Sequence, residues 1–260
     1  MALAETYKAY TGTMWDRLSA LATWQPDVQL SVGDIVSGGA GGVVTRETTL
    51  AKLGITAERL PHSRQAAAPV REHSGVSITA SGTAVVSSAG KARASFSKQS
   101  SFLVVTAQGW LDAADNMADV RTIVEELHAR DAWDAGWHLV TSVRRYPACT
   151  IVIAKTAGAE AELAVDVGGA AGLAPLEHIS AGAELSVNSD HASHWVMGFD
   201  STPLYEAIGM KRHGLRRRLA ATQVEYLTRD QDPDENEDEQ YDEETVWTAQ
   251  RSSPADLGLL

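Results

Sequence analysis

Two stretches of the chain, about 80 residues apart, carry small apolar and polar side chains in alternation. In the first, Val76, Ile78 and Ala80 alternate with Ser77, Thr79 and Ser81. After the turn signals Gly82 and Gly90 the alternation resumes through Ala92, Ala94 and Phe96. In the second, Ala159, Ala161, Leu163 and Val165 alternate with Glu160, Glu162 and Asp166. A Gly/Ala/Pro-rich stretch from Gly168 to Pro175 follows, and then Ala183, Leu185 and Val187 alternate once more. A period of two places one apolar side on each strand. Each stretch therefore predicts a hairpin of weakly amphipathic strands, which is either a solvated sheet edge or a surface built to meet a second apolar environment.

Around these hairpins the pattern predicts ordinary elements. Leu3, Tyr7, Tyr10, Met14, Leu18 and Leu21 recur at helical steps, predicting a helix from about Leu3 to Trp24 that Pro26 stops. The stretch Leu30 to Val36 comes next, and the glycine run Gly38 to Gly42 reads as a flexible turn. Thr48 or Thr49 caps a short helix that Gly54 ends. Pro61 to Val70 is polar and alanine-rich, a loop entering the first hairpin. Phe102-Leu103-Val104-Val105 is apolar on both sides, as a strand covered on both faces must be. Met117, Val120, Ile123, Val124 and Leu127 mark a second helix, from about Ala114 to Ala129. Strands are expected at Trp137 to Val143 and Thr150 to Ala154, and the stretch Trp195 to Phe199 follows the second alternating region. Thr202 to Met210 reads as a strand or bend, and Leu215 to Leu227 as a terminal helix. Strands follow strands without regular crossover helices. The expected class is α+β: one domain with a twisted, mainly antiparallel central sheet, flanking helices and an acidic C-terminal tail.

Composition narrows the function. At 260 residues and 44% hydrophobic, the chain suits one core. It contains no apolar run of about 18 residues and no signal-peptide layout at its start, so a cytoplasmic protein is expected. Its one cysteine, Cys149, lies in an apolar run and reads as a core residue. The formal charge of −12 is uneven: Thr228 to Leu260 holds eleven acids and two bases, so the tail carries −9 and the body −3. Just before it stands the basic cluster Lys211, Arg212, Arg216, Arg217 and Arg218. The division expected is a body of residues 1–227 and a flexible inhibitory or partner-binding tail of residues 228–260.

Catalytic and metal chemistry find little support. His191 and His194 lack a third ligand of matched spacing. A Ser-x-x-Lys match at Ser95 to Lys98 falls in an alternating strand instead of on a helix. The glycine run fits neither dinucleotide nor phosphate-loop spacing. Trp110, Trp133, Trp137 and Trp195 adjoin apolar runs and read as core. The chain is expected to be no enzyme and to use no cofactor and no metal. Its acidic balance disfavours nucleic acid. A hydrolase would have to gather His138, His191, His194 and Asp190 around one pocket.

One family resemblance emerges from the order of elements. An N-terminal helix and the Gly33-Asp34-Ile35 turn lead to a small-residue hairpin closing on Phe96-Ser97-x-x-x-Ser101-Phe102-Leu103. Later come Val140 to Val143, Thr150 to Ile153, Ala159 to Leu163 and Val196-Met197-Gly198-Phe199. This succession, over about residues 1 to 227, resembles the pore-forming domain of gasdermin-like proteins of bacterial or fungal type. The resemblance implies a monomer that is soluble while inactive. Its two hairpin regions, about Val70 to Ser100 and Thr156 to Val187, would refold into long amphipathic strands and close a membrane barrel as a homo-oligomer. It also implies a short inhibitory C-terminal segment, removed by a partner protease or displaced by a homologous partner protein.

On that resemblance the inserting residues are Val76, Ile78, Ala80, Ala92, Ala94, Phe96, Ala161, Leu163, Val165, Ala183, Leu185 and Val187. The cluster Lys211, Arg212, Arg216, Arg217 and Arg218 would meet anionic membrane lipids, and Val246, Trp247, Leu257, Leu259 and Leu260 would clasp the body. The protein would be cytoplasmic when inactive, and at the inner or plasma membrane when active in cell death or antiphage defence. The competing expectation is a soluble interaction module whose acidic tail docks on a basic partner.

Overall fold

The computed structural model of the chain describes residues 2–23, 28–38, 43–81, 89–166, 179, 181, 185–187, 191–197, 200–213 and 246–257. In chain order the elements are α1 (Ala2–Leu18), β1 (Leu21–Ala22), β2 (Asp34–Gly38), β3 (Val44–Thr49), β4 (His62–Ala67), β5 (Arg71–Ser74), β6 (Val76–Ser81), β7 (Ala89–Phe96), β8 (Phe102–Thr106) and β9 (Gly109–Ala114). Then follow α2 (Met117–Ala129), β10 (His138–Tyr146), β11 (Cys149–Ala154), β12 (Glu160–Asp166), β13 (Leu185–Val187), β14 (Ala192–Met197), β15 (Ser201–His213) and β16 (Val246–Arg251). The class is α+β with antiparallel strands, as expected, divided into three ladders.

The largest ladder runs β1-β15-β10-β2-β3. In addition β16 lies beside β15, and β9 followed by β4 lies beside β10. A second ladder has the order β14-β11-β8-β5 and a third the order β13-β12-β7-β6. Helix α1 lays Tyr7, Tyr10 and Met14 at three- and four-residue steps into a core with Phe102, Val104, Ile151 and Ile153 of the second ladder and Val140 and Tyr205 of the first. Tyr10 and Phe102 meet edge to face at 5.6 Å. Helix α2 buries Val120, Ile123, Val124 and Leu127 against the first ladder. Its start is fixed by Asn116, whose side chain accepts from the Ala118 N–H at 2.9 Å.

Several sequence expectations need correction. Helix α1 ends at Leu18, well before Pro26. Ser19 turns left-handed at φ 50°, and Leu21 and Ala22 pair with Tyr205 and Leu204 instead. A buried backbone must find partners, and a strand edge supplies them here. His62 to Ala67, expected as loop, is a strand: its pairing with β9 sets Arg64 opposite Asp112, and Arg64 Nε donates to the carboxylate at 2.6 Å. Five of its six residues are exposed, so hydrophobic periodicity carries no trace of it. The second helix starts at Met117, because Gly109 to Ala114 forms β9. Trp110 on that strand is 42% exposed, not core. The short helix before Gly54 stands as expected, as one 3-10 turn capped by Thr49 and closed by Gly54 at φ 81°. The helix expected at Leu215 to Leu227 lies outside the described residues.

Truncating Phe102 to Ala removes the ring on which α1 and the second ladder meet. The expected loss is about 3–5 kcal/mol of stability. A denaturant melt followed by tryptophan fluorescence reads it as a lower midpoint with unchanged slope.

Candidate functional site

The two hairpins of the sequence pattern come together as one four-stranded sheet, here termed the distal sheet. Strand β7 pairs with β12 from Ser95↔Glu160 to Ala89↔Asp166, setting Ala94 opposite Ala161 and Ala92 opposite Leu163. Strand β6 adds Val76 opposite Phe96 and Ile78 opposite Ala94. Strand β13 adds Leu185 opposite Leu163 and Val187 opposite Ala161. Ala92, Ala94, Phe96, Ala161 and Leu163 are buried, and Val76 and Ile78 partly so. All of these but Ala92 belong to one cluster with Leu103, Val105, Val152, Ala154 and Ile179. Ala80 and Val165 hold the expected register positions opposite Ala92 and Gly90, and Ala183 lies outside the described residues. The other side is polar, with diagonal ion pairs from Lys91 to Glu162 and from Arg93 to Glu160 (3.9 Å). Such exposed pairs are screened by solvent, so they serve solubility and register more than stability.

Each strand of the distal sheet is the chain continuation of one strand of the ladder β14-β11-β8-β5, in the same order. For the central pair even the register is unbroken. Cys149↔Thr106 through Ile153↔Phe102 and Glu160↔Ser95 through Asp166↔Ala89 belong to a single alignment, because both segments between the end pairs have equal length. Ladder hydrogen bonds persist to both lips of the gap: Ala154 N–H donates to Ser101 O at 2.8 Å, and Phe96 N–H to Ala159 O at 2.9 Å. Between them a corner of residues 97–100 facing 155–158 carries left-handed backbone at Ser100 (φ 66°) and Gly158 (φ 78°), and the neighbouring strand carries it at Gly75 (φ 64°). A Cβ on Gly75 would lie 2.3 Å from Ser101 Oγ, so the position requires glycine. The corner also rotates the sheet. Phe96 and Leu103, seven apart and so on opposite sides of a straight strand, share one cluster.

The C-terminal residues form a strap across the first ladder. Strand β16 pairs with β15 from Ile208↔Arg251 to His213↔Val246, and the Trp247 ring lies tilted against His128 of α2, 5.2 Å between centroids. Ala249 N–H donates to Glu125 at 3.3 Å. Beyond the strand, Ser252 N–H donates to Ala207 O at 2.8 Å, and its hydroxyl shares a buried 2.7 Å hydrogen bond with His138 Nδ1. Arg251 pairs with Glu206 at 2.8 Å, lies 5.2 Å over the Trp15 ring and donates to Ser19 O. Leu257 is buried in the core that α1 caps, and its backbone crosses so near Gly38 that a Cβ there would meet the Leu257 carbonyl at 1.8 Å. Of the expected clasp, Val246, Trp247 and Leu257 are thus in the strap, while Leu259 and Leu260 lie outside the described residues.

The basic cluster is not a free patch at its first member: Lys211 Nζ lies 2.9 Å from Asp256 of the strap. Arg212 stands opposite Trp247 in the ladder, and Arg216, Arg217 and Arg218 lie outside the described residues. His138 lies in the first ladder under the strap, whereas His194 is on β14 in the second, and His191 hydrogen-bonds Thr156 beside the corner at 3.2 Å. Among the described residues no three His, Cys, Asp or Glu side chains converge as a metal site, and no helix is long and apolar enough to cross a membrane, which says nothing of strands. No known protein family matches the chain, and no curated protein matches it.

Burial holds the His138 imidazole below its ordinary pKa, opposed by nearby Asp256 and reinforced by Lys211. The fold holds the neutral form. Its contribution is therefore fully present above the free-histidine value of about 6.5 and is lost as pH falls through the lower folded value. Hydrogen exchange over residues 246–257 is expected to accelerate as pH drops through that window, after correction for intrinsic rates. His138→Gln is expected to flatten the dependence. Leu257→Ala should raise strap exchange at neutral pH, at a cost of about 2–5 kcal/mol.

Proposed function

We propose that this protein is a self-inhibited, gasdermin-like pore former, which permeabilises membranes when its strap is released. The observation that carries this reading is the distal sheet: two hairpins far apart in sequence, joined in one ladder, continuing four strands of the neighbouring sheet in order and, at the centre, in register. A transmembrane β-strand needs about 9–11 residues with one apolar side, and every backbone group must be paired. The central strands run from Ala89 to Thr106 and from Cys149 to Asp166, which exceeds that length, and straightening the corner needs no register slip.

Parity supports the same reading. In a straight ladder Ala92, Ala94 and Phe96 fall on the side of Phe102 and Val104, while Leu163, Ala161 and Ala159 fall on the side of Ile153 and Ile151. The apolar side is then continuous for most of its length. Exposed to water it would be costly, and facing acyl chains it is matched. Closure of many copies into a barrel removes the remaining sheet edges. The strap supplies the restraint: it completes the β15 edge, ties α1 to the sheet and neutralises Lys211. Residues 214–245, between His213 and Val246, carry ten of the eleven tail acids and are where a partner protease would cut.

The test is dye release from vesicles of acidic phospholipid. Full-length protein is expected to leave them intact, and protein cut between residues 227 and 245 to empty them. Environment-sensitive labels at Ile78 and Leu163 should move to apolar surroundings only after the cut. Equal retention of dye by both forms overturns the reading. Capture of a basic protein by residues 228–260 alone, with the body never on vesicles, would instead support an interaction module.

A further inference from the structure

Where the end of α1, the first ladder and the second ladder meet, the chain frames a cleft of about 450 Å3. Its walls are Leu18 at the end of α1, Ala67 and Val70 around the link from β4 to β5, Leu111 on β9, and Arg144 and Tyr146 near the end of β10. Arg71 and Glu72 of β5 line it as well. Apolar walls with a few convergent polar groups are the usual make-up of a small-molecule site, and the volume lies within the range of about 300–1,000 Å3 that such sites occupy.

The cleft is preformed. Val70 N–H donates to the Thr106 hydroxyl at 2.8 Å and Thr106 N–H to Val70 O at 2.9 Å, which fixes one end of the link to the second ladder. Tyr146 OH donates to Ala68 O at 3.4 Å and ties its middle to the first. Strand register sets the floor, with Arg144 opposite Leu111.

Charge selects the ligand. Glu72 is already engaged by Arg17 of α1, so it does not call for a cation. Arg71 is engaged by an interaction of its own, which leaves Arg144 to hold an anion. Arg144 is half-buried, its Nη2 donates to Leu18 O at 3.3 Å, and among the described residues its guanidinium meets no carboxylate. Its remaining N–H groups form a planar fork that suits two oxygens of one oxyanion. The apolar walls beside it disfavour a bare ion, which would lose water there without gaining partners. We infer that this cleft binds a small soluble organic anion, a carboxylate or phosphate ester on a compact apolar body, with Arg144 holding the oxyanion and Leu18, Val70 and Leu111 covering the body. The site stands whether or not the protein forms pores. A ligand there touches α1 and both ladders at once and stabilises their arrangement by mass action.

The experiment uses the full chain, with hexanoate, hexyl phosphate, hexanol and sodium phosphate as probes at matched ionic strength. Hexanoate, hexyl phosphate or both are expected to raise the melting temperature with concentration and to slow hydrogen exchange over residues 66–72, while hexanol and sodium phosphate do neither. Whichever of the two organic anions acts more strongly names the head group, and either upholds the site. Arg144→Gln is expected to weaken that binding about tenfold or more, the worth of one charge-assisted hydrogen bond. Arg144→Lys keeps the charge, loses the fork and is expected to recover only part. Arg59→Gln, whose native side chain pairs with Glu126 of α2, is expected to change nothing. If Arg144→Gln does not fold, the exchange footprint on the unmutated chain decides alone. Undiminished binding by a folded Arg144→Gln overturns the site, and so does an equal effect of hexanol or no effect of any probe. An equal effect of sodium phosphate overturns the organic ligand in favour of a bare ion. Slowing over residues 66–72 by phosphatidylglycerol vesicles, but by none of the soluble anions, overturns the soluble ligand in favour of a membrane head group.

Discussion

Everything distinctive about this molecule depends on a ladder that is interrupted without being broken. At the corner of residues 97–100 and 155–158 the regular ladder gives way to Ser100 N–H donating to Ala154 O and Gly158 N–H to Phe96 O, and the backbone turns left-handed, yet pairing resumes on the far side in the same alignment. A sheet with a corner has two ways to dispose of its apolar side. Bent, it lays Phe96, Ala94, Ala161 and Leu163 into one cluster with Leu103 and Val105. Straightened, as the proposed pore requires, it would turn them outward with Phe102 and Val104. The covalent sequence is the same in both, and so is the pairing of the central strands.

On the proposed pore reading, the choice of side chains fits a surface covered in water and later uncovered. Burial is worth about 25 cal/mol per Å2 of apolar area, so Ala92, Ala94, Ala159 and Ala161 contribute little each, while Phe96 and Leu163 contribute most of the stabilisation. The side is apolar enough for acyl chains, yet cheaper to peel away than a Leu/Ile core. By contrast, the helix-covered core around Tyr10, Met14 and Phe102 is built of large side chains, with Tyr10 and Phe102 edge to face, and in the proposed pore would be the part that keeps its structure.

The strap brings the other half of the design, a restraint distributed over many weak points. Ladder pairs with β15, the Ser252–His138 hydrogen bond, Arg251 over Trp15 and Leu257 in the core each hold it modestly. Cutting the connection does not remove such a strap. It converts an intramolecular contact into a bimolecular one, whose occupancy then depends on dilution and pH. Asp256, the one tail acid within the strap, is placed where it neutralises Lys211.

Much of this was legible along the chain. The two alternating stretches, the buried run Phe102 to Val105, the second helix and the Thr49–Gly54 turn all follow from side-chain period and capping chemistry, which are local properties. What local pattern could not carry were the exposed edge strand His62 to Ala67, the early end of α1 and the strap strand Val246 to Arg251, since each exists because a distant edge needed partners for its backbone. The hints along the chain were Gly158, standing between an apolar run and an alternating one, and the equal spacing of the two central strands. The sequence by itself determined which side of each hairpin strand is apolar, because alternation is written residue by residue. Only the tertiary structure decided that the two hairpins form one sheet, that this sheet prolongs its neighbour in register and that the tail closes the first ladder, because strand pairing is a contact between residues that the chain order keeps apart.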